Sequence, residues 1–343
     1  MATSDRPEPT IRPRVAMLIP KSGQAQVLTP PTFAQLHQIA DVSGGEFEPP
    51  ELKANLAALL ADADVALTGW GTPPLTEAAL DAAPRLRLIA HSAGSVKRLI
   101  PASVYDRGIT VCHASNILAD AVCEFTILVI LTGLRRVHEM DRALKSGATW
   151  RNALPASAGL LSARTVGLVS AGYVGRKVRR LLQAFGPRVL VYDPYLSADE
   201  AATLEVEKVS LEALFQQSDI VSIHAPITPE TRHQVGAREL ELLRDGALFI
   251  NCGRSWTVDQ DALLAKLREG KIWAALDVFD EEPLPIDHPF RSLPNTLLTP
   301  HRAGHTTDSE HRQGAVIVDE IERFFTGQEL HYRISPEAHA RMA

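Results

Sequence analysis

Three side chains far apart in the sequence could between them manage a carboxylate, an oxyanion and a proton: Arg254, Glu282 and His301. Arg254 follows the apolar run Phe249-Ile-Asn-Cys252, and its planar fork suits bidentate binding of a carboxylate. Glu282 lies in Asp277-Val-Phe-Asp-Glu-Glu-Pro283 and His301 in Leu298-Thr-Pro-His-Arg-Ala-Gly304. An imidazole beside a carboxylate can hold a proton and exchange it with a carbonyl or an alcohol. Each residue also has an ordinary reading: a surface charge for Arg254, a turn acid before proline for Glu282, a capped loop histidine for His301. The functional reading gains weight from where the three fall, each just after an apolar run that reads as a strand, the place where open α/β sheets bind ligands.

A second constellation lies upstream. The segment Thr165-Val-Gly-Leu-Val-Ser-Ala-Gly-Tyr-Val-Gly175 leads from a strand into a helix opening at Arg176. Such a turn offers unpaired backbone N–H groups and the positive end of a helix dipole to a pyrophosphate, and its glycines let the chain approach closely. The fingerprint here is Ser170-x-Gly172-x-x-Gly175, with serine in place of the first glycine. Glycines used only for tight packing give a similar pattern. Asp193 closes the next strand, Arg188-Val-Leu-Val-Tyr192, 18 residues after Gly175. A carboxylate there can bind both ribose hydroxyls and repel a 2′-phosphate, so the pattern favours NAD over NADP. A turn former before Pro194 is the plain alternative for Asp193, and a methyltransferase could use the same turn and acid; the downstream trio argues against the latter.

These residues need a scaffold, and the rest of the 343-residue chain supplies one of α/β type. With 45% hydrophobic and 22% charged residues it has the composition of a globular protein, and its formal charge of −6 lacks the basic excess of a nucleic-acid binder. Cys112, Cys123 and Cys252 form no CxxC pair, which argues against a disulfide framework or a zinc site and fits a reducing cytoplasm; no metal is expected. The longest apolar run, Phe125 to Leu134, is broken by Thr126, Thr132 and Gly133 and reads as a buried helix rather than a membrane span. Residues 1–13 carry no apolar signal segment and read as a disordered lead-in.

From Arg14, strands at Arg14–Ile19, Val65–Thr68, Leu86–Ala90 and Thr110–Cys112 alternate with helices at Glu51–Ala61, Thr76–Ala82 and Ala102–Arg107. After a long helix at Asp120–Leu134 and a polar stretch from His138 to Ala158, a second series supplies six strands, Thr165–Val169, Arg188–Tyr192, Ile220–His224, Ala247–Asn251, Ala274–Asp277 and Thr296–Thr299. Helices near Tyr173–Phe185, Leu211–Gln217, Arg238–Leu243 and Asp259–Glu269 connect them. A last amphipathic helix, Ala315–Gly327, has no strand after it.

In this order and spacing, Ser170-Ala-Gly-Tyr-Val-Gly175 with Asp193, Ser218-Asp-Ile-Val-Ser-Ile-His-Ala-Pro226, Asn251-Cys-Gly-Arg254, Ala275-Leu-Asp-Val-Phe279 with Glu282, and Thr299-Pro-His-Arg-Ala-Gly304 resemble the D-isomer-specific 2-hydroxyacid dehydrogenases. The resemblance runs from about Val65 to Gly327 and implies two doubly wound parallel-sheet domains. A Rossmann NAD-binding domain at 117–305 would be inserted in a flavodoxin-like substrate domain formed by 14–116 and 306–333, with hinges near Ser115–Ala119 and Ala303–Thr306. It implies a homodimer built on the long helix and a small 2-oxo or 2-hydroxy acid as substrate. Arg254 would orient the carboxylate and polarise the 2-keto group, His301 would exchange the proton with the 2-oxygen, and Glu282 would partner His301, with the three meeting in a cleft. Around NAD it implies Ser170, Gly172, Tyr173, Val174 and Gly175 at the pyrophosphate, Asp193 at the ribose, Asp277 at the nicotinamide amide, and His224, Ala225, Pro226, Cys252, Gly253 and Gly304 along the lining. Backbone at Ala93, Gly94 and Ser95 would cradle the substrate carboxylate.

The chain departs from the family's habit at Lys97-Arg98, at Ser255-Trp256, and at Arg302 and His305. The added basic residues raise the expectation that the substrate carries a second anionic group. Competing readings are a phosphite- or formate-type dehydrogenase of the same fold, the formate type being opposed by Glu282, where that type has a glutamine. An NAD-sensing, corepressor-like binding protein is the alternative from a different class.

Overall fold

The structure, a computed structural model, describes residues 12–155 and 158–342. It divides into two compact units: one takes the chain up to Leu118 and again from His305, the other is Ala119–Gly304. Of the expected lead-in, 1–11 lies outside the described residues. Arg12 and Pro13 correct the rest: the Arg12 guanidinium donates to the carbonyls of His37 and Ala40 at 2.7 and 2.9 Å, and Asp41 N donates to Pro13 O.

The first unit opens with β1 (Arg14–Met17), α1 (Lys21–Val27), α2 (Pro30–Ile39), β2 (Asp41–Gly44), α3 (Pro49–Leu60), β3 (Val65–Thr68), α4 (Glu77–Asp81), β4 (Leu88–His91) and β5 (Thr110–His113). All strands are parallel, in the order β2-β1-β3-β4-β5. The helices start where side chains satisfy their first amides: Thr29 accepts from Thr32 N, Thr76 from Ala79 N, and Glu48 and Glu51 form a reciprocal capping box. β3 and β4 are buried at every position, as strands covered by helices on both faces must be. At Ala102–Arg107, where a helix was expected, only a 3₁₀ turn at Ala102–Val104 forms.

The second unit is built from α5 (Ser115–Arg135), α6 (Val137–Lys145), β6 (Thr165–Val169), α7 (Tyr173–Gln183), β7 (Arg188–Tyr192), α8 (Ala198–Thr203), β8 (Glu207–Lys208), α9 (Leu211–Gln217), β9 (Ile220–Ile223), α10 (Ala237–Glu241), β10 (Leu248–Asn251), α11 (Gln260–Arg268), β11 (Trp273–Leu276) and β12 (Thr296–Leu298). Its parallel sheet has seven strands, one more than expected, in the order β12-β11-β10-β9-β6-β7-β8. The order reverses direction at β6, so the loops after β6 and β9 diverge there and open a crevice at the carboxyl edge. Ser115–Ala119, expected as a hinge, is the first turn of α5.

By length and composition α5 could cross a bilayer, which corrects the expectation drawn from its shorter apolar core; half of its most apolar stretch is buried inside the protein. Its folded contacts are those of a core helix. Cys123, Val129 and Ile130 pack into the core beneath β6, and Asp120 pairs with Lys177 of α7.

The chain re-enters the first unit through α12 (Thr307–Phe325) and ends at α13 (Pro336–Arg341). α12 packs on α1 and α2 so closely that a Cβ on Gly314 would stand 1.8 Å from Val27 O. α12, expected to have no strand after it, does have extended chain following it: Ile334 N donates to Val111 O, and Cys112 and Arg333 form an antiparallel bridge. The buried Glu320 carboxylate fixes this return by accepting from His331 N and Tyr332 N at 3.0 and 3.1 Å.

Two histidines end adjacent strands in the first unit. His91 Nδ1 lies 3.0 Å from Thr68 Oγ1, and His113 Nδ1 lies 3.0 Å from Gly94 O. Burial, with the neighbouring His113 adding to it, pushes His91 down to about 3, and burial pushes His113 down to about 4. Both are neutral when folded, whereas the unfolded chain takes up protons below about pH 6.5. Unfolding therefore binds protons, and stability should fall as the pH drops from about 6.5 toward about 4. Denaturant titrations across that range should show the decline, and His91→Gln should flatten it; an unchanged slope in the variant would contradict the buried, neutral state of His91.

Candidate active site

Because every strand of the seven-stranded sheet is parallel, its carboxyl ends share one edge. Arg254 follows β10, Asp277 and Glu282 follow β11, and His301 follows β12, so neighbouring strands place these residues side by side. At the other half of the edge, Ser170 follows β6, Asp193 follows β7 and His224 follows β9.

His301 Nδ1 and Glu282 Oε2 are 2.7 Å apart. No closure is needed to bring them together, because both loops lie within one unit. The other Glu282 oxygen, Oε1, accepts from Phe279 N at 2.9 Å. An ionised carboxylate can only accept, so the assigned tautomer carries hydrogen on Nδ1 and leaves Nε2 for exchange. The His301 side chain is 48% exposed and that of Glu282 35%, so the pair borders open space. A pocket of about 670 Å³ adjoins it, walled by Phe279, Pro283, Leu284, Leu298 and Arg291.

His301 has φ +52°, in the left-handed region. Asp277 holds it there. This carboxylate is fully buried, with Oδ1 accepting from Thr299 Oγ1 at 2.5 Å and Arg302 N at 2.9 Å, and Oδ2 from Ala303 N at 2.8 Å. Asp277 was expected at the nicotinamide; in the structure its oxygens tie down the histidine loop. Arg254 is half-buried, with its backbone carbonyl accepting from Asn251 Nδ2 at 3.0 Å and Thr257 Oγ1 at 2.7 Å. Its own Nη1 donates to Gly253 O.

The glycine turn fits a dinucleotide. Gly172 is the N-cap of α7 and no side chain caps that end. A Cβ on Gly175 would lie 2.2 Å from Ser170 O, so that glycine is required by close backbone approach, and one on Gly253 would be tight at 3.1 Å from Ile223 O. Tyr173 is exposed at the helix start, and Val174 packs on the core behind it. Both ring nitrogens of His224 are buried and have no hydrogen-bond partner among the described residues, the kind of orphaned polar pair a bound cofactor can satisfy. Burial holds the His224 imidazole neutral, its pKa lowered to about 4. Ala225, Cys252 and Gly304 are buried and Pro226 partly so.

Ser170 occupies φ +84°, where the first glycine of the fingerprint is at ease and a side chain is strained. Its hydroxyl donates to Asp193 Oδ2 at 3.3 Å, beside the shorter bond from Ala171 N at 2.7 Å, while Oδ1 accepts from Tyr195 N at 2.8 Å. Asp193 thus shapes its own turn through Tyr195 N, as the turn-former reading has it, and the glycine turn through Ala171 N, which its sequence position did not announce.

In the first unit, Gly94 O accepts from Ser115 Oγ at 2.6 Å, and Ala93 and Gly94 are buried with Ser95 half-buried, so the expected carboxylate loop is rigidly set. The expectation of a second anion is corrected in two of its supports. Lys97 Nζ donates to His339 O and Ala340 O at 3.0 and 3.2 Å, and His305 Nδ1 lies 2.8 Å from Glu310 Oε1. The carbonyls at the end of α13 and a buried carboxylate engage these two side chains; Arg98 and Arg302 are exposed. Among the described residues no cluster of His, Cys, Asp or Glu could hold a metal, and all three cysteines are free and buried.

The family model for the D-isomer specific 2-hydroxyacid dehydrogenase NAD-binding domain matches residues 127–303. A glyoxylate reductase of Korarchaeum cryptofilum is 34% identical over 82% of this chain and 85% of its own length. The chain belongs to the D-isomer-specific 2-hydroxyacid dehydrogenases. A hydroxypyruvate reductase of Thermotoga maritima is 31% identical over 78% of this dehydrogenase and 87% of that protein. The crystal structure of a phosphoglycerate oxidoreductase from Rhizobium etli superposes with a TM-score of 0.78 at 29% identity, covering 94% of this chain and 99% of that one. This dehydrogenase is an NAD-dependent oxidoreductase that interconverts 2-oxo and 2-hydroxy acids.

Replacing Ser170 by Gly should relieve the backbone strain and raise unfolding stability by about 1 kcal/mol, less the weak hydroxyl bond to Asp193. NADH affinity should be unchanged or tighter. Urea unfolding and fluorescence titration check both, and a clear loss of either would show that the hydroxyl matters more than the strain.

Proposed function

We propose that Arg254, Glu282 and His301 are the catalytic residues for reduction of a small 2-oxo acid, and the hydrogen bond of 2.7 Å between His301 Nδ1 and Glu282 Oε2 carries this reading. NADH, when bound, supplies the hydride that reaches C2. Glu282 orients the ring through Nδ1; for reduction His301 enters as imidazolium, with hydrogen on both nitrogens, and Nε2 gives its proton to the 2-oxygen, leaving a neutral ring protonated at Nδ1 and a 2-hydroxy acid. Arg254 offers its fork to the carboxylate and the developing oxyanion. In the reverse direction His301 takes the proton back.

For the cofactor, amides at Gly172–Gly175 would hold the pyrophosphate. Asp193 would hold the ribose hydroxyls, since a carboxylate has more acceptor positions than its bonds to the turn use. His224–Pro226, Cys252–Gly253 and Gly304 would line the nicotinamide side, and backbone at Ala93–Ser95 would receive the substrate carboxylate. The Ala119–Gly304 unit would then be the NAD-binding domain and the discontinuous unit the substrate domain. Supporting a small substrate are the relatives named glyoxylate and hydroxypyruvate reductase. A homodimer is supported by the exposed apolar side chains Leu128, Val137, Leu144, Trp150 and Leu154 on and just beyond α5 and α6. A cytoplasmic location fits the free, buried thiols.

His301→Ala should lower kcat for glyoxylate or hydroxypyruvate by roughly 10²–10⁴-fold while NADH binding stays nearly intact. Near-normal kcat in that variant would sink the assignment. NADH should be preferred to NADPH, and Asp193→Ala should narrow the preference by removing both an acceptor and a repulsive charge. A wild-type enzyme that used NADPH better would contradict the role given to Asp193.

A further inference from the structure

The first unit contains a recess of about 620 Å³ that takes no part in the chemistry above; Lys97, Ile100, Pro101, Tyr105, Pro336 and His339 line it. Its walls are mostly apolar, but three polar groups meet within it. The Tyr105 and His339 rings lie 5.5 Å apart. His339 is 4% exposed, and its Nε2 and the Tyr105 Oη are both buried without a hydrogen-bond partner among the described residues. Lys97 Nζ spends two of its three N–H donors on the carbonyls of His339 and Ala340. Orphaned polar atoms are rare in folded proteins, and two of them in one recess beside an ammonium group form a donor set that lacks its acceptor. Burial raises the Tyr105 phenol to about 12, so it remains a donor at neutral pH. Burial, and then the charge of Lys97, lowers the His339 imidazole, so it enters as a neutral ring with one N–H to offer.

We propose that this recess binds a small organic monocarboxylate with an apolar body. The carboxylate accepts from Tyr105 Oη, from the remaining N–H of Lys97 and from His339 Nε2, and the body packs on Ile100, Pro101 and Pro336. Exposed Asp106 borders the same recess, and its charge disfavours a second anionic group on the ligand. The site is separate in composition from the catalytic trio, since none of its residues is shared with it.

The test is calorimetric titration of butyrate into the full-length protein, with 1-butanol and succinate as controls, and the same titration of Arg254→Gln. In parallel, the His339 imidazole nitrogens are followed by NMR in the wild type. Butyrate should bind one per chain with Kd of roughly 1 mM, shift the His339 Nε2 signal, and bind equally well to Arg254→Gln, with butanol and succinate much weaker. Tyr105→Phe, which keeps the ring and removes only the hydroxyl, should weaken butyrate roughly fivefold to tenfold. No shift of His339 with butyrate at roughly tens of millimolar would overturn the proposal, with ordinary water then satisfying the orphaned atoms. Binding lost in Arg254→Gln would overturn it equally, by assigning the carboxylate to the catalytic arginine.

Discussion

One buried carboxylate holds together the sheet edge that carries His301 and Glu282. Asp277 leaves the end of β11 and gathers Thr299, Arg302 and Ala303 on its two oxygens. The loop so gathered carries His301 in a left-handed conformation that costs on the order of 1–3 kcal/mol for a residue with a side chain. Desolvating an ionised group is costly unless donors surround it, and here three do. His301 then meets Glu282, and Glu282 is fixed through Phe279 N, two residues beyond Asp277. The path closes on itself, so histidine and glutamate are positioned by two short stretches, residues 277–282 and 299–303, joined through Asp277.

The sheet order extends this local device across the whole edge. Parallel strands put every carboxyl end on the same side, and β10, β11 and β12 are consecutive neighbours. Residues as distant in sequence as Arg254 and His301 thus emerge one strand apart, on either side of β11, without any long-range design beyond the strand order. The nucleotide turn after β6 lies at the reversal of that order, where a crevice opens. Chemistry and cofactor recognition therefore follow from one topological choice.

Much of this was legible in the sequence because buried parallel strands are continuous apolar runs and the functional residues sit at their ends. The elements that escaped notice are those without such runs. β2 and β8 are edge strands, half or fully exposed, and read as polar chain. α6 has no buried residue. α2 did carry a readable start, Thr29 before Pro30-Pro31, that deserved more weight. Side-chain destinations were harder still. Nothing near Lys97 in the sequence shows that the carbonyls of residues 339 and 340 lie beside it, and the partner of His305 is Glu310, one helical turn into α12. Long-range contacts decide which basic groups remain available, and spacing alone does not reveal them.

The packing of Gly314 against Val27 has a consequence for how the protein is made. α12 completes the core around α1, α2 and β4, yet it leaves the ribosome only after the Ala119–Gly304 unit. The amino-terminal sheet must wait, with Val27, Leu28 and Leu36 uncovered, until the whole Ala119–Gly304 unit has been synthesised. That middle unit is contiguous and can fold first. The interval before α12 arrives is therefore one in which apolar surface of the first unit lies uncovered.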